Sequence, residues 1–416
     1  MSTPETHSPP LDELPLLDLF DSAVAADPYA AVRKLATESW IARTPTGVAI
    51  LRWDEAKEIA RDRRFRTPPG LGLAAFGITE GFAYDWANGV LLGLDGEDHA
   101  RIRRLTTPGL NPRYLDTMRP HARELIREIA TGVDDRGRGD LAQFGASYSV
   151  RMMCHLLGFP DEDWSRLAAW SDAAVQLPTT AVVDQLDRIT TALHELRAYT
   201  TEQLERIRHR GRGDDLGSVL LAAEEDGDRL SPDELIALFE SLLMAGAETT
   251  KTVLALGLLL FVKHPEQWRA IREDPDLVSS AVDEVLRYRI PQLGIGRVAR
   301  ADVTINGTTI PEGTFCLVAI PAANFDPEAY EDPDAFDVTR YAGVDRRAPA
   351  NRHLSFGFGM HACVGAHLAR LELQEAFAHL SQRWPDLRLD DDDATGVTWN
   401  SPFGVHGPLR LPLRWR

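Results

Sequence analysis

Apolar residues recur along most of this chain at helical spacing, with short stretches at strand spacing between them. In DPYAAVRKLATES (27–39) they fall at helical intervals, GVAILRW (47–53) reads as a strand, and DEAKEIARDRRF (54–65) as another helix. Between Thr67 and Asp98 the period dissolves into Gly, Pro and aromatics, PPGLGLAAFGITEGFAYDWANGVLLGLDG. A loop that long and apolar reads either as the wall of a binding site or as a packed irregular segment. From Glu97 to about Tyr288 the spacing is helical almost throughout. The clearest stretch opens SPDELIALFESLLMAG. Ser231 can cap it, Pro232 suits the first helical position and Glu234 completes a capping box. It runs to Lys263 before the HP stop, a rod of roughly 50 Å at ~1.5 Å per residue. Its second half is apolar on nearly every side, so it is expected to be buried. After Arg300 short β segments take over (DVTINGTTIPEGTFCLVAI), with an NG hairpin signal and a PEG turn. Residues 364–384 make one more helix, and SPFGVHGPLRLPLRW closes the chain as short strand and turn. The predicted fold class is mainly α with a small β portion.

Composition narrows the function classes. With 416 residues, 44% of them hydrophobic, the chain can bury a large core. Length alone suggests two or three domains, a soft prior. The Pro-rich, acidic first 24 residues are expected to be a flexible N-terminal arm, and 25–416 a single domain. A net charge of −18 sets the field of the protein against nucleic acid and anionic lipid. The longest apolar run, TVLALGLLLFV (252–262), is shorter than the ~18 residues of a membrane span, so no membrane insertion is expected. The N-terminus lacks the basic n-region and apolar run of a signal peptide. The three cysteines, Cys154, Cys316 and Cys363, have no framework spacing, which fits a reducing cytoplasm.

One stretch carries chemistry: FGFGMHACVGAHLAR, residues 356–370. Gly357, Gly359 and Ala362 satisfy a dinucleotide fingerprint. However, the acids nearest the required distance, Glu372 and Glu375, fall inside the next helix, and no second parallel strand follows. Cys363 as a nucleophile with His361 as its base is a minor alternative, because no orienting third group is evident. A buried, inert thiol is the ordinary state of a lone cysteine. The remaining reading is an axial thiolate for haem iron. Backbone N–H groups of a Gly-rich turn and the positive end of a helix starting near Val364 would stabilise the thiolate. Glycines at 357, 359 and 365 let backbone lie close to a flat macrocycle. Phe356 can pack on the ring or shield the sulfur, and His361 can reach a propionate.

FGFGMHACVG matches without a gap the F-G-x-G-x-H/R-x-C-x-G loop of the cytochrome P-450 family, and further segments resemble family elements in family order over nearly the whole chain. AGAETT (245–250) resembles the oxygen-activating segment, EVLR (284–287) the E-x-x-R motif, and FDVTR (336–340) the segment whose arginine joins that pair. HARIR (99–103) resembles the propionate-binding helix, GRVAR (296–300) the strand giving another propionate arginine, and HLARLE (367–372) the helix behind the cysteine.

The resemblance implies a cytochrome P-450 fold, with a long central helix over haem and a Cys-ligand loop. It implies a monooxygenase with haem b, held by Cys363 as axial thiolate. Ala245 would leave space for dioxygen, and Thr249, four residues on, would bond the Ala245 carbonyl. Glu248 and Thr249 would relay protons. His99, Arg103 and Arg297 would hold propionates, with Phe356, Gly357, His361 and Gly365 completing the cofactor loop. Glu284, Arg287 and Arg340 would form a buried structural ion group. No flavin or dinucleotide domain is recognised in the chain, so electrons are expected from a ferredoxin and its reductase. Arg101, Arg104, Arg346, Arg347 and Arg352 are candidates for a local basic docking patch. A mostly apolar small molecule is the expected substrate. Its walls would be Phe76, Phe82, Tyr84, Trp86, Leu243, Met244, residues 290–295 and Phe403, with Arg289 and His406 available for a polar group. A peroxide-using or rearranging haem-thiolate enzyme and a non-catalytic haem-binding partner protein are the alternatives, both disfavoured by retention of Glu248 and Thr249. Two departures from the family stand out: Phe325 where an arginine is usual, and Ala335 where a basic residue is common.

Overall fold

The segment IARTPTGVAI folds back on itself, pairing Ile41–Thr44 antiparallel to Gly47–Ile50. Gly47 is required there: its φ is +154°, and a Cβ would stand 2.1 Å from the Phe315 carbonyl oxygen. That close approach lets Gly47–Ile50 run parallel to Phe315–Val318. Ile295–Ala299 and then Phe65–Arg66 continue the sheet antiparallel, giving five strands.

This computed structural model describes residues 10–211, 213, 215–222, 229–344, 353–390 and 396–416. The chain divides into two units. The first holds residues 1–68, 292–335 and 352–363, and the second 69–291, 336–351 and 364–416.

In the first unit, helix Pro28–Glu38 begins where Asp27 accepts from the Ala30 N–H at 3.1 Å. A core of Leu17, Val32, Ala42, Ala49, Leu51, Ala319 and Ala322 fills in beneath. Helix Trp53–Arg61 has no cap of its own; instead the Trp53 N–H donates to Asp326 Oδ2 at 2.9 Å. The NG signal is a hairpin, Val303–Ile305 against Thr308–Ile310, with Asn306 and Gly307 at φ 48° and 78°. Within residues 10–24, expected to be a loose arm, the stretch Leu14–Leu17 is docked. Leu14 and Leu17 are buried, the Leu17 N–H donates to the Arg43 carbonyl and the Arg43 N–H to the Pro15 carbonyl. The leucines of LPLL give that stretch apolar surface to bury, which its Pro and Asp content had masked. Phe325 is buried with the Arg33 guanidinium 4.3 Å above its ring, and Arg33 also lies 3.9 Å from Asp334, beside Ala335. A cation from the helix Pro28–Glu38 thus stands against the phenylalanine that replaces the usual arginine.

The second unit is built on the helix Pro232–Lys263, 32 residues long, in which the capping box is complete. The Glu234 N–H donates to Ser231 Oγ and the Ser231 N–H to Glu234 Oε2. Ser231→Ala is expected to lower stability by about 1 kcal/mol, read as an earlier urea midpoint at unchanged slope. Counted as a helix, this segment is long and apolar enough to cross a membrane, which the uninterrupted run 252–262 had not suggested, but 78% of its most apolar window is buried inside the protein. It is therefore a core helix, each buried Leu contributing ~1.5–3 kcal/mol. Phe144–Leu157, Trp164–Ala174 and Val182–Arg210 surround it, and Ser149 Oγ donates across to the Ala247 carbonyl at 2.7 Å.

The stretch between Thr67 and Asp98, which showed no period, contains a two-turn helix, Phe82–Gly89. A helix that short is held by tertiary contacts rather than propensity. Here Trp86 is fully buried and its indole N–H donates to Glu240 on the central helix at 2.8 Å. The last helix is Ala366–Arg383, and Pro412–Arg414 pairs with both Arg138–Asp140 and Arg388–Leu389.

Candidate active site

The cysteine loop forms within the first unit. Asn324 anchors its start: Oδ1 accepts from the Leu354 N–H at 2.8 Å and Nδ2 donates to Ser355 Oγ at 2.9 Å. The chain then turns through Gly357 (φ 67°) and Gly359 (φ 73°). At Gly359 a Cβ would lie 2.8 Å from the Ala60 carbonyl oxygen, so both conformation and space demand glycine. The loop is closed by the Cys363 N–H, which donates to the Phe356 carbonyl at 2.7 Å. At Gly357 a Cβ would meet the Ile295 side chain at 3.3 Å, which places this turn against the strand Ile295–Ala299 that carries the buried Arg297. Arg297, Phe356, Gly357, His361 and Cys363 thus belong to one unit. Phe356 stands 5.7 Å from the His353 ring, and Phe358 packs under the Arg61 guanidinium at 4.2 Å.

The three cysteines differ sharply. Cys363 is exposed, whereas Cys154 and Cys316 are buried. Burial pushes both of those thiols up to about 12, so neither is a thiolate near neutral pH. Past Cys363 the chain enters Ala366–Arg383 by way of Gly365, whose φ of −87° any residue adopts. The helix begins two residues later than expected from Val364, and its N-terminal dipole favours an anion there.

In the second unit, His99 and Arg103 stand one turn apart on Gly96–Thr106, His99 buried and Arg103 half-buried. Arg101, expected in a basic docking patch, is ion-paired with Glu234 in the first turn of the central helix, so part of its charge is already used. Arg104 is exposed, while Arg346, Arg347 and Arg352 lie outside the described residues.

The central helix is buried along most of its length, yet Ala245 is exposed and Thr249 half-buried. Thr249 Oγ1 donates to the Ala245 carbonyl at 2.6 Å, as the four-residue spacing predicts. Glu248 is buried and pushed up to about 8, chiefly because burial penalises its charged form; Asp172 raises it further and Lys251 opposes the rise. Folding therefore favours its neutral form. That contribution is complete below the ordinary carboxylate range and is lost as pH rises through about 8. The Lys251 ammonium is 2.6 Å from Glu248 and 3.2 Å from Asp172.

Sequence reading missed both partners, although a lysine three residues after an acid in an apolar helix was the available signal. It also missed Glu240, wholly buried and bonded to Trp86 and Arg197. Of the residues expected to line the substrate site, Trp86 and Met244 are instead buried in one core cluster, with half-buried Phe76, Phe82 and Tyr84 packed against it. His406 and Arg289 are engaged with Trp399, His406 stacked at 5.3 Å and Arg289 at 5.5 Å from the ring. Glu284 and Arg287 form a fully buried bidentate pair at 2.8 Å, and Arg340 adds a third bond at 3.1 Å.

These residues suit an iron porphyrin. The one exposed thiol closes a loop in which Gly357 and Gly359 keep the backbone free of Cβ bulk. Buried Arg297 and His99 are donors suited to propionates, and the exposed Ala245 removes bulk from one turn of a buried helix. The comparisons with known proteins agree. Residues 174–391 match the family model for cytochrome P450. Luteothin monooxygenase of Streptomyces thioluteus is 37% identical over all of this chain and 99% of its own. The mycinamicin IV hydroxylase/epoxidase of Micromonospora griseorubida is 33% identical over the full length of both chains. The crystal structure of CalO2 superposes with a TM-score of 0.86 at 27% identity, covering 96% of this chain and 99% of the other. A match over half the chain, and relatives aligned end to end above 30% identity, make this protein a member of the cytochrome P450 family, monooxygenases that carry haem b on an axial cysteine thiolate.

Proposed function

We propose that this enzyme oxidises a mostly apolar small molecule in the cytoplasm, with Cys363 as the iron ligand and electrons supplied by a ferredoxin and its reductase. The observation that carries the reading is the exposed Cys363, its N–H fixed to the Phe356 carbonyl across the glycine-rich loop. When bound, the haem supplies the reductive activation of dioxygen, and the thiolate favours O–O cleavage.

The chain's residues have separate tasks. Arg297 and His361, in the first unit, and His99 and Arg103, in the second, would each offer a donor to a haem propionate, and Phe356, Gly357 and Gly365 would give the chain around Cys363 the room a macrocycle needs. Ala245 keeps one helix turn free of bulk. Thr249 holds a hydrogen-bonding hydroxyl at that turn by donating to the Ala245 carbonyl. Glu248, protonated at neutral pH, is the proton donor. Phe76, Phe82 and Tyr84, half-buried against the core cluster that holds Trp86 and Met244, would meet an apolar skeleton and keep water from it. The relatives named for luteothin and mycinamicin IV support a natural product of secondary metabolism as substrate.

A ligand screen for Soret shifts in the ferric enzyme identifies a substrate surrogate. With it, turnover is compared under ferredoxin, reductase and NADPH and under peroxide. Ferredoxin-driven turnover is expected to prevail. Glu248→Gln is expected to slow it by about 100-fold or more, and Thr249→Val to divert electrons into peroxide. Equal rates with peroxide alone, unaffected by either substitution, would overturn the reading.

A further inference from the structure

Glu248 and Lys251 stand three residues apart on the central helix and so share one face. Burying an ammonium is unfavourable unless it is paired, and Lys251, 8% exposed, is paired twice: to Glu248 at 2.6 Å and to Asp172, on the helix Trp164–Ala174, at 3.2 Å. Asp172 is different in kind, its side chain 51% exposed. One ammonium therefore joins a buried carboxyl to a carboxylate at the surface. Neither Lys251 nor Asp172 has a place in the reading above.

We propose that Lys251 and Asp172 are positioning residues for Glu248: the ammonium fixes the Glu248 carboxyl on its helix, and Asp172 connects it to solvent. This rests on the reading of Glu248 as the proton donor. A proton given up by Glu248 leaves a carboxylate, which is reprotonated from solvent on the side where Asp172 reaches the surface, while the Lys251 ammonium keeps its protons and holds both carboxyl groups in place.

The two partners act on Glu248 with opposite sign. The Lys251 charge favours the ionised carboxylate, while Asp172 repels it and shares a hydrogen bond with the neutral form. Lys251 and Asp172 are the charges that act on Glu248; His406, next to the Gly407 that approaches Thr252, is held by the Ser401 carbonyl and Trp399. From Phe144–Leu157, Ser149 is neutral and bonded to the Ala247 carbonyl. From Val182–Arg210, Arg197 is engaged by Glu240, about two turns away.

The test is an infrared titration of the Glu248 carboxyl in the haem-loaded enzyme, with Glu248→Gln as the blank. Beside it runs the pH dependence of the rate at which dithionite-reduced enzyme returns to the ferric state in oxygenated buffer. Lys251→Met is expected to move the Glu248 midpoint upward by about one pH unit, and Asp172→Asn to move it downward by a similar amount. The oxidation profile should follow in the same two directions. A retained Soret band establishes that each variant is folded and loaded. A midpoint that neither substitution moves, or that both move the same way, overturns the inference. If the midpoints move apart as stated but Glu248→Gln oxidises at the native rate at every pH, the positioning holds and the assignment of Glu248 as proton donor falls.

Discussion

Cys363→Ser is expected to abolish the carbon monoxide difference spectrum of the reduced enzyme and to lower turnover by more than about 100-fold, since losing even a second-layer partner of a metal ligand typically costs 10–100-fold. The expectation follows from the three thiols' surroundings. Cys154 and Cys316 are buried and pushed up to about 12, so neither offers a thiolate without leaving the core. Cys363 is exposed, and its backbone is fixed by the bond to Phe356 and by Gly357 and Gly359 in conformations other residues avoid. Serine is nearly isosteric, so the loop should survive while the ligand changes from soft sulfur to oxygen. Cys154→Ser and Cys316→Ser serve as controls and should leave the spectrum of folded enzyme unchanged. A native spectrum from Cys363→Ser or Cys363→His would remove the ligand assignment and the proposed function with it.

The sequence made local features legible where one short segment determines them. The capping box at Ser231 needs only residues 231–234, and the structure contains both of its hydrogen bonds. The Asn306-Gly307 turn and the Thr249–Ala245 bond are equally local. The cysteine loop was readable because glycines and cysteine fall at fixed spacing, and family membership bears out that resemblance. What escaped depends on contacts between distant segments. Asp172 lies 79 positions from Lys251, and nothing in AAWSDAA marks it as a partner. The helix Phe82–Gly89 is too short for a period to show, and its anchor, Glu240, is 154 positions from Trp86. The Pro-rich start looked loose because docking by Leu14 and Leu17 depends on Arg43, which offers both backbone groups. Arg101 was open to misreading for the same reason, since Glu234 lies in another element.

The buried ion group should govern stability as Cys363 governs chemistry. Arg287→Ala is expected to destabilise the protein by about 3–5 kcal/mol, because it leaves Glu284 as a buried charge deprived of its bidentate partner. Neither side chain has any exposure, so water cannot replace the lost bonds without local opening. Total stabilities of ~5–15 kcal/mol make that a large fraction, and soluble yield should fall with it. Arg340→Ala should cost less, since Glu284 then keeps both bonds to Arg287 and the Asp337 N–H at 3.0 Å. Replacing both members, Glu284→Leu with Arg287→Met, should recover much of the loss, because the main penalty lies in the unpaired charge rather than in the absence of the pair. Urea midpoints of the haem-loaded variants check the ordering. If Arg287→Ala unfolds within about 0.5 kcal/mol of the native protein, the range of an ordinary surface substitution, the pair is not holding this part of the second unit together. If the double variant is no better than the single one, the bidentate geometry itself, beyond charge balance, is what Tyr288 and the helix Val278–Tyr288 depend on.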